Sequence, residues 1–160
     1  MRLVWIALLL SCSAPNVDAT VTIAEPDRAS FPPVGDLLEK RCGTLDCHGS
    51  AFRNLRLYGS QGLRYSPSDR PLSKGQTTDA EYDQSFRSLI GLEPEITSAV
   101  VTEGGAQPER LTLIRKARGT ENHKGGAIWK EGDPSDLCVL SWLAGHTDAA
   151  GCVAAKDAAF

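Results

Sequence analysis

The 160-residue sequence predicts a small all-α domain of about four helices with long loops between them. Two stretches near the ends of this domain, residues 33–41 and 133–145, place apolar residues at helical spacing between helix start and stop signals. Hydrophobic residues make up 41% of the chain and charged residues 23%, which is typical of a packed globular domain. The net charge is −3 and Lys and Arg do not cluster, which argues against nucleic-acid binding.

The first predicted helix leads directly into a cysteine. It begins at Pro33 and presents Leu37 and Leu38 on one face, with basic residues at its end, before the chain reaches Cys42. The last predicted helix starts at Asp133-Pro134, which combines a capping residue with a proline at the first helical position, and it ends at Gly145. These two helices are the most clearly defined elements of the pattern.

Two further helices are predicted between them. Thr78 and Glu81 have the spacing of a capping box, and apolar residues follow at helical intervals as far as Ile90. A second helix is predicted from 108 to 118, with Gly119 closing it. Residues 53–74 are rich in Gly, Ser and Pro, and predict a long loop.

The N-terminus predicts export. Arg2 precedes an eight-residue apolar run, Leu3–Leu10, which is shorter than the roughly 20 residues that span a bilayer and has the length of a secretory signal. The following Ser11-Cys12 resembles a bacterial lipobox, so residues 1–11 are predicted to be a signal peptide and Cys12 to be lipidated. Ordinary cleavage after Ala14 or Ala19 is the alternative.

The expected mature protein is exported, either as a membrane-anchored lipoprotein or as a periplasmic protein. Residues 12–32 contain several prolines and little periodicity, and they are predicted to be a tether. The folded domain is predicted over residues 33–160.

The five cysteines divide into three groups. Cys12 belongs to the export signal, and Cys138 and Cys152 lie 14 residues apart near the C-terminus. A disulfide between Cys138 and Cys152 is predicted, with two free buried thiols as the alternative. In an exported protein such a bond is chemically stable.

The remaining pair, Cys42 and Cys47, is followed at once by His48. The usual signature for covalent haem attachment is C-x-x-C-H, in which both thiols add to haem vinyl groups and the histidine ligates iron. Here the spacing is C-x4-C-H, and Gly43 is expected to let the extra residues turn outward. A local disulfide, a zinc site and a degenerate domain without haem are the alternatives.

The motif and the helices on either side of it resemble class I cytochromes c, over residues 31–152. That family has a small residue in its first helix, where Gly35 stands, and an aromatic residue in its last helix, where Trp142 stands. The segment His123-Lys124-Gly125-Gly126 before the last helix is similar to cytochrome c-like domains of planctomycetes and myxobacteria. Those domains use a histidine of this loop as a ligand.

The resemblance implies one covalent haem c, with His48 as the proximal iron ligand and His123 as the distal ligand. The single methionine is Met1, which leaves with the signal, so His–Met ligation is excluded. His146 is the less favoured distal candidate. Trp129 is expected to cover the haem face, and the propionates are expected to pair with arginines of the long loop, unless these are merely solvated: Arg53, Arg56 and Arg64.

The expected function is that of a mono-haem c-type electron-transfer protein of the cell envelope, with bis-histidine ligation. It would act on a redox partner protein, would be anchored to the membrane by lipid and would not be an enzyme. The alternatives are a haem-free, disulfide-stabilised lipoprotein acting as a binding module and a haem enzyme such as a peroxidase, which needs an open coordination position.

Overall fold

The computed structural model describes residues 22–69 and 75–158. These residues form six α-helices and no strand, so the all-α prediction is confirmed, with more helices than the predicted four. The predicted signal peptide and Cys12 lie outside the described residues. The helices are α1 (Pro32–Cys42), α2 (Asp79–Ile90), α3 (Pro94–Thr102), α4 (Thr112–Arg118), α5 (Pro134–Leu143) and α6 (Ala149–Asp157), with a 3-10 helix at Pro108–Arg110.

Helix α1 forms the centre of the packing and ends at the motif. Its apolar side chains Val34, Leu37 and Leu38 are fully buried, as their helical spacing predicts. The helix ends at Cys42, which confirms that it delivers the chain into the cysteine motif. Gly35 allows a close approach, because a Cβ there would lie 3.0 Å from the ring of Tyr82 in α2.

Three aromatic rings, from the residue before α1, from α2 and from α5, pack against one another. The Phe31 ring lies 5.2 Å from that of Trp142 and 5.5 Å from that of Phe86, measured between centroids. Trp142 is buried in α5 and packs against Phe31 at the start of α1. Edge-to-face contacts of this kind add to the burial of large apolar surfaces.

Helix α2 begins with the predicted capping box. The Thr78 hydroxyl accepts from the Glu81 backbone N–H at 3.3 Å, and the Glu81 carboxylate accepts from the Thr78 N–H at 2.8 Å. Glu81 also pairs with Arg64 at 2.6 Å, and both side chains are almost completely buried. The long loop that contains Arg64 is therefore fixed to the start of α2.

The predicted helix over 108–118 is interrupted. Leu111 is buried with φ −78° and ψ 130°, an extended conformation that separates the 3-10 helix from α4. The Glu93 carboxylate accepts hydrogen bonds from the Thr112 backbone N–H at 2.7 Å and from its hydroxyl at 2.8 Å. The Glu93 carboxylate thus accepts a hydrogen bond from a free backbone N–H at the start of α4, where negative charge is favourable.

The C-terminal segment forms a helix that the sequence pattern does not predict. Cys152, which follows the last predicted helix, is buried within α6. The predicted disulfide to Cys138 of α5 is present, with the two Cα atoms 4.8 Å apart. Arg41 of α1 donates to the carbonyls of Ala155 and Ala158 at 2.7 and 3.0 Å. Helix α6 is therefore held to both α1 and α5.

Residues before α1 also pack against the helices. The Ala24 N–H donates to the Ser98 hydroxyl of α3 at 2.9 Å, and the Trp142 indole donates to the Asp27 carbonyl at 3.1 Å. The packed part of the chain thus includes residues of the stretch interpreted as a tether, residues 12–32. Among the described helices, none has the length and apolar character needed to cross a bilayer.

Candidate functional site

Two histidine side chains meet across a cavity. The His48 and His123 ring centroids are 5.9 Å apart, with 21° between the ring planes. Both rings line a cavity of about 400 Å³, as does Cys42. That volume lies within the range of small-molecule sites, about 300–1,000 Å³. The sequence singled out four residues for this site. Three of them, Cys42, His48 and His123, line the cavity, and the fourth, Cys47, precedes His48 in the chain.

The wide cysteine spacing is taken up by a closed turn. The His48 backbone N–H donates to the Cys42 carbonyl at 2.8 Å, and the Cys47 N–H donates to the Thr44 carbonyl at 2.9 Å. The extra residues therefore turn outward, as predicted. Gly43 has an ordinary φ of −86°, but a Cβ there would lie 2.6 Å from the Glu39 carbonyl oxygen. A Cβ at Gly49 would overlap the Gly43 carbonyl oxygen, so the turn requires a close approach at both glycines.

The orientation and tautomer of His48 follow from one hydrogen bond. Its Nδ1 lies 3.1 Å from the Leu55 carbonyl oxygen, and the Leu57 N–H donates to the His48 carbonyl at 2.8 Å. A carbonyl can only accept, so Nδ1 carries the proton and Nε2 keeps its lone pair. Burial lowers the pKa of His48, opposed by the bond to Leu55 and assisted by His123 and Arg53, which favours the neutral imidazole.

His123 has the same arrangement on the other side of the cavity. Its Nδ1 lies 3.2 Å from the Gly126 carbonyl oxygen, which again leaves the lone pair on Nε2. Gly125 makes room for the ring, because a Cβ there would lie 3.1 Å from the imidazole. Gly126 has φ 69°, which glycine adopts readily.

These features match those of metal-binding histidines. Such histidines usually donate their second ring N–H to a carbonyl or carboxylate, which fixes the tautomer. Two imidazoles on opposite sides of one metal have centroids about 6 Å apart, given bonds of about 2 Å and about 1 Å from nitrogen to centroid. The observed 5.9 Å separation is close to this value.

The two thiols of the motif are free and differ in exposure. Cys42 is buried at the end of α1, whereas Cys47 is exposed. Burial raises the pKa of Cys42 to about 12, with a further increase from Cys47 and a decrease from Arg41. Both thiols are free, so the alternative, a disulfide between Cys42 and Cys47, is not present. In the described ranges, no group of three or more His, Cys, Asp or Glu side chains is arranged to hold a metal ion, so the zinc alternative gains no support.

The cavity has a largely apolar wall. Phe52 at this wall is 97% exposed, although it is a large aromatic side chain. Exposed apolar surface around a concave site typically marks a binding surface. The wall would suit a flat, apolar ligand with a polar edge. The apolar lining side chains are Phe52, Leu55, Leu92, Leu113, Ala117 and Ile128, and the cations at the lining are Arg53 and Lys116.

Trp129, predicted to cover the haem face, does not line the cavity, and that expectation is wrong. Its side chain is buried, and its indole N–H donates to the Asp136 carboxylate at 3.1 Å. His146 is exposed beyond the end of α5 and lies outside the cavity lining.

Of the three arginines considered for propionates, Arg53 alone lines the cavity. It donates to the carbonyls of Cys47 and Asp46 at 3.2 and 3.1 Å. Arg64 is engaged with Glu81, and Arg56 lies at a separate groove beside Tyr58. The expectation of propionate contacts is therefore wrong for Arg64 and Arg56.

Several site residues were not singled out by the sequence. Lys116 lines the cavity from α4, and its ammonium lies 2.7 Å from the Glu121 carboxylate. The apolar residues Leu113 and Ile128 lie on the same wall. The helical spacing of Leu113, Lys116 and Ala117 was an available signal, since residues three and four apart share a helix face.

A larger cleft, of about 590 Å³, lies between α1, α2 and α6. Its lining is mainly polar and includes Asp36, Ser60 and Lys156. Its described lining residues include no histidine or cysteine, so the smaller apolar cavity is the better candidate.

Comparison with protein-family models, with curated protein sequences and with solved structures finds no match for this chain.

Proposed function

We propose that the protein binds one covalently attached haem c in the cavity between His48 and His123 and transfers electrons. The observation that carries the proposal is the pair of nearly parallel imidazoles with centroids 5.9 Å apart, each with Nδ1 bonded to a backbone carbonyl. Both Nε2 atoms are consequently available as ligands. The free Cys42 and Cys47 thiols and the apolar wall support the same ligand.

Each residue would have a defined task. The S–H bonds of Cys42 and Cys47 would add across two vinyl groups, forming thioethers without a leaving group. His48 would ligate iron on the proximal side and His123 on the distal side. When bound, haem iron supplies reversible one-electron chemistry, and bis-histidine ligation gives a lower reduction potential than His–Met ligation.

Electron transfer is favoured over catalysis by the two facing histidines. If His48 and His123 both ligated the iron, peroxide or another substrate would have to displace one of them before it could bind. The partner would be a redox protein of the cell envelope. Export and lipidation at Cys12 remain proposals from the sequence, because residues 1–21 lie outside the described part of the chain.

Intact-mass analysis of the purified mature protein tests the proposal. The expected result is a mass increase of one haem that survives denaturation. The absorption spectrum of the same protein should be that of a low-spin haem. A colourless protein without that increase, from a host that matures other cytochromes, would refute haem attachment and favour a haem-free binding module. The mass spectrum would also show lipid at Cys12 and the disulfide.

Histidine variants test the ligand assignment. His123→Ala should retain covalent haem and become high-spin, because the distal bond is lost. His146→Ala is the matched control, since this histidine is exposed and lies outside the cavity lining. An unchanged low-spin spectrum in His123→Ala would refute distal ligation by His123.

A further inference from the structure

The loop that carries His123 is tied to α4 at its two ends, where Thr120 and Glu121 donate to the Arg115 carbonyl and Ile128 donates to the Ala117 carbonyl, but it has few fixed points between them. Residues 119–126 include Gly119, Gly125 and Gly126, the first and last with positive φ. In the described structure, the hydrogen bonds of residues 122–127 are local except one, which Lys116 Nζ donates to the Asn122 carbonyl at 3.0 Å. The loop itself therefore does little to keep the imidazole at the cavity.

An ionic clasp holds the start of this loop. We define the clasp as Arg115, Lys116 and Glu121. The Glu121 carboxylate lies 2.8 Å from Arg115 Nε and 2.7 Å from Lys116 Nζ. One anion thus bridges two cations of α4, immediately before His123.

The base of the clasp is itself fixed. The Arg115 guanidinium donates to the Glu109 carbonyl at 2.9 Å and to the Thr112 hydroxyl at 2.9 Å. Lys116 lines the cavity, and the neighbouring Ala117 carbonyl accepts from the Ile128 N–H at 2.8 Å, where the loop ends. The clasp therefore connects the cavity wall to the loop at a defined position.

We infer that the Arg115–Glu121–Lys116 clasp is the positioning device that keeps His123 opposite His48 across the cavity. This inference rests on the proposed function. Single exposed ion pairs contribute little, but a carboxylate shared by two cations forms a network with better-defined geometry. All three side chains are about one-third exposed, so salt should weaken the clasp.

Binding of carbon monoxide to the reduced, haem-loaded protein measures release of the distal ligand. Carbon monoxide is neutral, so ionic strength acts on the protein rather than on the probe. Glu121→Gln should raise the apparent affinity for carbon monoxide about fivefold at low salt. This factor corresponds to the upper end of the free energy that exposed ion pairs contribute. Added salt should raise the affinity of the wild type, and should have little effect on the variant.

Two further variants separate positioning from general stability. Glu103→Gln breaks a comparable ion pair with Arg110, and neither residue lines the cavity, so this control should bind carbon monoxide like the wild type. Lys116→Met should behave like Glu121→Gln, whereas Lys116→Arg should restore most of the wild-type affinity and its salt dependence.

The outcomes distinguish the two proposals. A wild-type protein without haem would refute both the proposed function and the clasp. A haem-loaded, low-spin protein whose affinity and salt dependence are the same in Glu121→Gln as in the wild type would refute the clasp alone. Equal effects of Glu103→Gln and Glu121→Gln would also refute it, since the effect would then be general.

Discussion

The Arg118 guanidinium donates two hydrogen bonds to the Asp136 carboxylate, from Nε to Oδ1 at 2.9 Å and from Nη2 to Oδ2 at 2.8 Å. The Asp136 side chain is completely buried and that of Arg118 is 8% exposed. The same carboxylate accepts from the Trp129 indole at 3.1 Å and from the Gly132 N–H at 2.9 Å. One residue of α5 thereby joins the end of α4 to the segment that follows the His123 loop.

Asp136→Ala is expected to lower the free energy of unfolding by about 3–5 kcal/mol, because it removes the buried partner of a buried guanidinium and leaves it only the exposed Glu131 carboxylate at 3.4 Å. Urea unfolding followed by circular dichroism measures this. Asp83→Asn is the control, because its ion pairs with Arg87 and Arg28 are solvent-exposed and contribute little to stability. Similar losses in the two variants would contradict the assigned role of Asp136.

The buried pair between Glu81 and Arg64 predicts a dependence of stability on pH. Burial raises the pKa of Glu81, but hydrogen bonds from Arg64, Thr78 and Tyr65 and the Arg64 charge bring it below the ordinary value of 4.5. A lowered folded-state pKa means that the stabilisation is present above the unfolded value, and is lost as the pH falls below 4.5 through the folded value.

Glu81→Gln should therefore be less stable than the wild type near neutral pH, and this difference should shrink as the pH falls below the ordinary carboxyl value. Denaturant unfolding at several pH values measures the difference. Parallel stability curves for the two proteins across this range would contradict the predicted linkage.

Removal of the Cys138–Cys152 disulfide should lower the free energy of unfolding by about 3 kcal/mol, since the bond closes a short loop. The double variant Cys138→Ala/Cys152→Ala, unfolded in urea, tests this. Helix α6 should also become more protease-sensitive, because it keeps Arg41 as its tie to α1 but loses its covalent tie to α5. A wild-type unfolding curve for the double variant would count against the disulfide.

Gly49→Ala should disturb the turn between Cys42 and His48, since the added methyl group would overlap the Gly43 carbonyl. The expected loss of stability is about 1–3 kcal/mol, as for other overpacked positions. Under the proposed function, the yield of haem attachment should also fall. Gly91→Ala is the control, because Gly91 has φ −68°, an ordinary value for alanine, and an added Cβ would lie 3.0 Å from the Arg87 carbonyl oxygen without overlapping it. Equal yields and stabilities for all three proteins would rule out the proposed close approach.

Helices with strong apolar periodicity were predictable from the sequence. Helices α1, α2 and α5 each bury several residues at helical spacing, and the Thr78–Glu81 capping box is local in sequence. Helix α6 was missed because it buries only Cys152 and Ala155 and is held by a disulfide and by Arg41, a residue distant in sequence. Helix α3 likewise buries only Thr97 and Val100.

The candidate site was predictable to a similar degree. The cysteine motif is a local signal, and His123 was singled out from its position before the last predicted helix; the structure shows that it lines the same cavity as His48. The role of Trp129 was misassigned because the buried Asp136, which binds its indole, is not distinguishable in sequence from a helix-capping acid. The clasp around Glu121 depends on a turn after α4, which residue spacing does not specify.

The packing of residues 22–31 has a mechanical consequence. Tension applied at the N-terminal side of this segment would first meet the Ala24–Ser98 hydrogen bond, and then the Arg28–Asp83 ion pair and the Trp142–Asp27 hydrogen bond. These attachments lie on α3, α2 and α5, so a pulling force would be shared among three helices before it reached α1. The cysteine turn at the far end of α1 would thus be shielded from strain transmitted along the chain.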